Sequence, residues 1–198
     1  MNESRRTGAA GTARERVLDT AYDLFHRHTA NTVGVDRISA EANVAKTTLY
    51  RHFSSKDELT VAVLRRHHDV WLRGWLEQTI ARRGKTAGAR ILALFDAFDE
   101  WFRRDDYEGC LFARALLETR DPSSAVRNAA VTGLENVRAL VRGLAAEAGA
   151  RDPDVLALRI QTLLLGATVL AVSGELDAAG HARDAARLLL QREGIATE

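Results

Sequence analysis

The chain has 198 residues, a formal net charge of +1, and 46% hydrophobic and 28% charged residues. That balance is ordinary for a globular protein of one or two domains and excludes a disordered polyanion or polycation. A near-zero total says nothing about partners, because what matters is where the basic residues cluster. Two prolines, among abundant Ala, Leu and Arg, point to an almost entirely helical protein. The single cysteine, Cys110, excludes an internal disulfide and fits a reducing compartment.

The opening MNESRRTGAAGTARER is charged but lacks the apolar core of a signal peptide. Residues 1–11 are expected to form a mobile arm before the first helix, read as a tail with no role of its own; contact of Arg5, Arg6 and Arg14 with a polyanion is the alternative. Thr12 and Glu15 make a capping box, and Val17, Leu18, Ala21, Leu24 and Phe25 follow at helical spacing, which defines a first helix.

Residues 34–56, GVDRISAEANVAKTTLYRHFSSK, read as two short helices joined by a tight turn. Val35, Ile38 and Ala42 give the first helix a buried stripe, and Val44, Leu49 and Phe53 do the same for the second. Asn43 stands at the turn, where its tolerance of left-handed backbone angles lets one helix end and the next begin. This is helix-turn-helix geometry. The outward positions of the second helix are basic and polar, and no acidic residue occurs from Asn43 through Lys56. Lys46, Thr47, Thr48 and Arg51 are the candidate base readers, since Arg and Lys donate to guanine and Thr offers a hydroxyl and a methyl. Tyr50, His52 and Lys56 are the candidate phosphate contacts. Ser55 and Glu58 are spaced as a capping box, expected to start a helix at Lys56 whose N-terminal amides suit a phosphate.

The run Thr47-Thr48-Leu49-Tyr50-Arg51-His52-Phe53, followed by Ser55-Lys56-Asp57-Glu58-Leu59, is similar to the signature of the tetracycline-repressor (TetR) family, whose members often read T-L-Y-x-H-F and then S-K-E-x-L. The resemblance extends upstream through ARERVLDTAYDLFHRH and covers about the first 60 residues. Two departures are visible. Gly34 replaces the usual Ser or Thr cap, which removes a customary phosphate contact, and Asn43 replaces the usual Gly. The resemblance implies an all-α protein of about nine helices. Its parts would be an N-terminal three-helix DNA-binding domain over 12–55 and a C-terminal ligand-binding and dimerisation domain over 56–198.

Further along, the helix from Lys56 carries Leu59, Val63, Val70, Trp71 and Trp75 and is expected to run as a strut to about Ala81, before Arg82-Arg83-Gly84-Lys85. A helix from Ala87 to about Arg104 is apolar around much of its circumference, at Ile91, Leu94, Phe95, Phe98, Trp101 and Phe102. A short helix follows over Cys110 to Glu118. Asp121-Pro122 and Asp152-Pro153 each predict a helix start, and Gly149 and Gly174 predict stops. The longest apolar run, Leu163 to Val172, is about half the ~20 residues that a membrane helix needs.

In the helix from Pro153, Ile160, Leu163, Ala167, Leu170 and Ala171 line one face, and in the last helix Ala178, Ala182, Ala185 and Leu189 do. Their small side chains permit close approach, so these two stripes are the candidate dimer interface, and the family resemblance implies a four-helix bundle across a twofold axis. Trp71, Trp75, Phe95, Phe98, Phe102, Phe112 and Leu116 are the candidate lining of an effector pocket.

Catalytic constellations are missing from the sequence. No Glu is followed by His three residues on, and there is no H-E-x-x-H, no G-x-S-x-G and no phosphate loop. His67 and His68 are adjacent and so point to different sides of a helix. No cofactor and no metal site is expected. The reading is of a cytoplasmic, homodimeric transcriptional regulator, not an enzyme, that binds double-stranded palindromic operator DNA and is released by a small, largely apolar effector, with no membrane partner. Repression comes from the resemblance alone. The alternatives are a helical-bundle enzyme or a helical interaction module that does not bind DNA.

Overall fold

A computed structural model describes residues 11–198, so the expected arm over residues 1–10, with Arg5 and Arg6, lies outside the described residues. The elements are α1 (Ala13–Arg27), α2 (Val35–Glu41), α3 (Lys46–His52), α4 (Lys56–His67), a π-helical segment (His68–Leu76), α5 (Glu77–Arg83), α6 (Ala87–Phe102), α7 (Leu111–Glu118), α8 (Ala125–Glu147), α9 (Pro153–Val172) and α10 (Ala178–Glu193). The stretch from α4 through the π segment to α5 is one continuous rod, so the described residues hold nine helices and no strand.

Local chemistry accounts for most boundaries. Thr12 and Glu15 form the full reciprocal box at the start of α1. At α4 the exchange is shifted: Ser55 Oγ accepts from the Glu58 amide at 3.1 Å, but Glu58 reaches back to the amide and hydroxyl of Ser54 at 2.7 and 2.6 Å. Asp152 caps α9 ahead of Pro153, as its sequence predicts. Asp121-Pro122 instead forms a turn, because Ser123 offers its own amide and hydroxyl to the Asp121 carboxylate, and α8 begins after Ser124, whose Oγ accepts from Val126. Gly149 and Gly174, with φ of 79° and 107°, end their helices in left-handed turns.

Two apolar clusters hold the fold. The first joins α1, α2 and α3 to the start of α4 through Leu24, Phe25, Ile38, Leu49, Phe53 and Leu59, and it continues into Leu111, Phe112 and Ala115 of α7 and Val126 and Ala130 of α8. The reading head is therefore seated on the body by a shared core. The second cluster packs the π segment, α5 and α6 against α8, α9 and α10. Arg114 of α7 adds a polar clasp: its guanidinium donates to the carbonyls of Phe25 and His26 at the end of α1 and to Glu108. Those carbonyls have no partner within their own helix, and a cation there also meets the negative end of the helix dipole.

Gly133 of α8 lies directly under Phe112, so a Cβ at that position would collide with the phenyl ring. Phe112 is almost fully buried and has no free space to move into. Gly133→Ala is thus expected to cost about 1–3 kcal/mol by overpacking, despite alanine's better helix propensity. A denaturant midpoint that rises in this variant would contradict the packing described.

α9 is a 20-residue helix with mean hydropathy 2.0, long and apolar enough by length and composition to cross a membrane. The run Leu163 to Val172 understated this, because the apolar character begins at Val155. Leu156, Ile160, Leu164, Ala167 and Ala171 pack inside the subunit, while Val155, Leu158, Val169, Leu170 and Val172 remain exposed. A helix apolar all round is one that is covered on more than one side.

Candidate nucleic-acid interface and effector cleft

The reading head is built around Asn43. Its φ of 50° lets the chain leave α2, while its amide bonds Ala40 O at 3.2 Å and the Val44 amide bonds Ser39 O at 3.1 Å, the two-bond closure of a Schellman turn. With Ile38 and Leu49 fully buried against α1, the turn fixes α3 so that Lys46, Thr47, Tyr50 and Arg51 are exposed and Thr48 and His52 half-exposed. Gly34 begins α2 with no side-chain cap.

The cations on this face differ in what they touch. Lys46 pairs with Asp36 of α2 at 2.7 Å, and that carboxylate holds its ammonium above the usual range. Arg51 enters no ion pair among the described residues. Arg14 lies over the Phe53 ring at 5.0 Å, which puts the first turn of α1 beside the end of α3. Lys56, expected as a phosphate contact, has an intramolecular partner. Its ammonium bonds the Asn31 carbonyl at 3.4 Å and borders a 310 Å³ recess shared with Asp57, Glu118 and Asp121. The α4 N-terminus is likewise less open to an anion than its spacing suggests, because Asp57 and Glu58 fill its first turn and Glu58 occupies the Ser54 amide.

A cleft of about 630 Å³ opens between the head and the rod. α1 supplies Tyr22, Asp23, His26 and Arg27; the rod supplies His67, Val70, Trp71 and Trp75; Trp101, Arg104 and Asp106 close the far side. All three tryptophans of the chain therefore line one cleft. The π segment sets the placement of two of them, since its widened turn brings Val70, Trp71 and Trp75 to the cleft while Leu72 and Leu76 stay in the core.

Only two of the expected lining residues, Trp71 and Trp75, take part. Phe95, Phe98, Phe102 and Phe112 are core residues and Leu116 packs half-buried against the first cluster, so a helix apolar around its circumference is filled, not hollow. Phe98 touches only a 20 Å³ void that has room for about one water. The polar aromatic residues missed in the sequence, Tyr22, His26 and His67, carried one signal: Tyr22 and His26 sit four apart on α1, beside its buried stripe.

His67 is 2% exposed. Its Nδ1 meets the Tyr22 hydroxyl at 3.3 Å, its ring stacks on Trp71 at 5.4 Å, and His26 stands 5.0 Å away. His68 turns instead to Asn136 of α8, at 3.3 Å, as adjacent helical positions require. His67 Nε2 and Trp71 Nε1 are buried with no partner among the described residues. Burial holds His26 below its ordinary pKa and His67 well below, with His26 and Arg114 adding to the effect on His67. Burial pushes the Tyr22 hydroxyl up to about 12, so it remains a donor. No group of three or more His, Cys, Asp or Glu able to hold a metal occurs among the described residues. Burial also raises the Cys110 thiol, outweighing the amides of Phe112 and Ala113 that favour its thiolate, which makes it a packing residue and a poor nucleophile.

The histidines set a pH dependence with a definite sign. In the fold burial holds both below their ordinary range, whereas in the unfolded chain they take a proton as pH falls below about 6.5, so acidification favours unfolding. Stability measured by urea titration should therefore fall from pH 7.5 to 5.5. In His67→Phe the fall should be shallower by up to about 1.4 kcal/mol per pH unit. An unchanged slope would mean that His67 already protonates in the fold.

For dimerisation, Ile160, Ala167, Ala171, Ala178 and Ala182 are buried within the subunit and cannot face a partner, which corrects that assignment. Leu163, Ala185 and Leu189 are half-buried and Leu170 is exposed. The outward apolar face is Val155, Leu158, Val169, Leu170 and Val172 of α9 with Leu188 of α10; Val169 and Leu188 are each 67% exposed.

Residues 17–63 match the family model described as bacterial regulatory proteins, tetR family, and residues 87–186 match that of the tetracyclin repressor-like C-terminal domain. The chain is similar to the HTH-type transcriptional activator FasR of Mycolicibacterium smegmatis, 36% identical over 92 residues, which cover 46% of this chain and 41% of that protein. It is also similar to the HTH-type transcriptional repressor NemR of Escherichia coli, 28% identical over 129 residues, covering 65% of this chain and 64% of that one. Both alignments span less than two thirds of the relative's own length. A solved TetR-family transcriptional regulator from Streptomyces coelicolor superposes with a TM-score of 0.80 at 27% identity, over 94% of this chain and 96% of the other.

Proposed function

The chain belongs to the tetR family of bacterial regulatory proteins, and from that premise we propose that it is a cytoplasmic, homodimeric transcription regulator that binds a near-palindromic operator and is released by a small effector. The observation that carries the reading is α3: a helix held by a Schellman turn, anchored by buried Leu49, and presenting Thr47 and an unpaired Arg51 outward. Such a helix fits the major groove, where Arg reads guanine and Thr the thymine methyl. Lys46, Thr48, Tyr50 and His52 flank it as further base and backbone contacts. Residues 12–55 form the reading unit in this proposal and residues 56–198 the regulatory and pairing unit.

The dimer forms through the outward face of α9 and α10. Exposed Val and Leu on the outward side of two packed helices are unfavourable in water, and a second copy of the same face relieves them. The effector enters the cleft between α1 and the rod, where a bound molecule touches the reading head directly. Repression is the simpler sign of regulation, since occluding a promoter asks only for tight DNA binding; FasR is an activator and NemR a repressor, so kinship favours neither. No catalytic role is proposed.

Footprinting on the DNA upstream of the protein's own gene tests this. The expected result is a protected near-palindrome whose half-sites lie about one helical turn or a multiple apart, with affinity falling steeply as salt rises. Binding that is equal on all sequences, or absent at low salt, overturns it. A rise in transcription from the footprinted promoter when the gene is deleted marks repression, and a fall marks activation.

A further inference from the structure

We propose that the cleft between α1 and the rod takes a flat, electrically neutral hydroxyaromatic compound, whose hydroxyl donates to His26 and whose oxygen accepts from the Trp71–His67 wall; the effect on DNA, though not the binding itself, rests on the regulator reading above. The walls favour a flat apolar body. Trp71, Trp75 and Trp101 stand with ring centroids 5.8 and 5.1 Å apart, and about 630 Å³ has room for a bicyclic ring system.

Charge argues for a neutral guest. Arg104 is held by both oxygens of Asp106 at 2.8 and 2.9 Å, and the lining holds two arginines, Arg27 and Arg104, and two aspartates, Asp23 and Asp106, so its formal charge sums to zero. The two histidines add no charge near neutral pH, because burial keeps them unprotonated. With a formal sum of zero, the cleft as a whole favours neither an anion nor a cation over a neutral guest.

The hydrogen-bonding valences specify the polar group. His26 Nδ1 lies 2.8 Å from the Tyr22 carbonyl, which can only accept, so Nδ1 carries the proton and Nε2 is left as an acceptor at the half-exposed edge of the cleft. Trp71 Nε1 can only donate. His67 Nε2 becomes a second donor when the Tyr22 hydroxyl donates to Nδ1. Both of these nitrogens are buried and unpartnered, in a class of groups that native proteins nearly always satisfy. They are closed off from solvent as the rings now stack, so the guest's oxygen reaches them as the indole turns. One hydroxyl supplies both what His26 lacks and what the opposite wall lacks, which an ether, a hydrocarbon or a carboxylate does not.

The same placement gives the regulatory consequence. Tyr22 and His26 belong to α1, whose Leu24 and Phe25 are in the head's core and whose last carbonyls are clasped by Arg114. A guest wedged between α1 and the rod therefore changes the angle at which the head leaves the body.

The test uses 2-naphthol, 2-methoxynaphthalene and 2-naphthoate as probes, titrated calorimetrically into the full chain without DNA. The expected order places 2-naphthol about tenfold tighter than the methyl ether, the difference one hydrogen bond makes, with the carboxylate weakest. In His26→Phe the preference for naphthol over its ether should disappear, whereas in Trp71→Phe, which loses a donor that either oxygen can use, both probes should weaken alike; the helical circular dichroism should stay unchanged in both, and two variants guard against one misfolding. Equal affinities for naphthol and ether, no binding of any probe at millimolar concentration, a preference that survives in His26→Phe, or affinities for both probes unchanged in Trp71→Phe would overturn the proposal. Operator retention is measured separately on the ligand-free protein. Retention without naphthol binding overturns the cleft assignment alone, naphthol binding without retention overturns the regulator reading alone, and naphthol affinity unchanged by operator overturns the coupling between them.

Discussion

Leu188→Arg and Val169→Arg variants are expected to sediment as monomers and to lose operator binding, with helical content intact. Both side chains are two-thirds exposed on the outward face of α9 and α10, so neither substitution enters the core of the subunit. Placed at a twofold interface, each arginine meets its own copy or the partner's apolar row, and burying an unpaired guanidinium there costs more than the contact gains. The loss on DNA should be large, because a dimer engages its second half-site from an effective concentration in the millimolar range. Removing that link weakens binding by about 10²–10⁴-fold with no change in the reading helix. Ala167→Arg differs in kind. Ala167 is buried inside the subunit, so that variant should unfold before it dissociates. Sedimentation with operator titration separates the two. Monomeric Leu188→Arg protein that keeps full operator affinity would refute the assignment.

Arg51→Ala is expected to lower operator affinity by about 1–3 kcal/mol and to relax preference at one base position, because its guanidinium is exposed on α3 and has no ion pair among the described residues. Lys46→Ala should cost less, since that ammonium is already paired with Asp36 and must leave it to reach DNA. Lys56→Ala should leave both affinity and the salt slope near wild type, because its ammonium faces the Asn31 carbonyl and an acidic recess. Binding measured over a salt series on operator and single-substituted sites checks all three. Were Lys56→Ala to flatten the salt slope by about 0.9, the side chain would have to swing out onto phosphate in the complex.

The reading head was legible because its determinants are local. A capping box, a buried stripe at helical spacing and one residue able to adopt a left-handed angle fall within about forty positions, and each acts on its immediate neighbours. The pairing surface was misassigned for a physical reason. Small side chains such as Ala167, Ala171 and Ala182 mark where two helices approach closely, but they do not say whether the neighbour is in the same chain. Since α9 is apolar all round, its periodicity alone could not distinguish the inward stripe from the outward one. The cleft was illegible for another reason. Its residues come from α1, the rod and the end of α6, and their convergence depends on how those elements cross. Counting aromatic residues favoured Phe95 and Phe112, whereas burial had already used them for packing.

The π segment turns residue count into a mechanical variable. Its nine residues close i→i+5 turns, wider than the i→i+4 turns of the α-helix on either side. Deleting a single residue there, such as Gly74, would narrow the segment toward α-helix and change the azimuth of one side relative to the other, since the two kinds of turn advance the chain by different angles per residue. Trp75 would leave the cleft, and α4 would present a different face to α1. The rod would remain helical and nearly the same length, yet the two ends of the molecule would be out of phase. Homologous chains with and without this extra residue would thus share a fold and differ in handing a signal from body to head, a difference set by azimuth and invisible to any comparison of helix content.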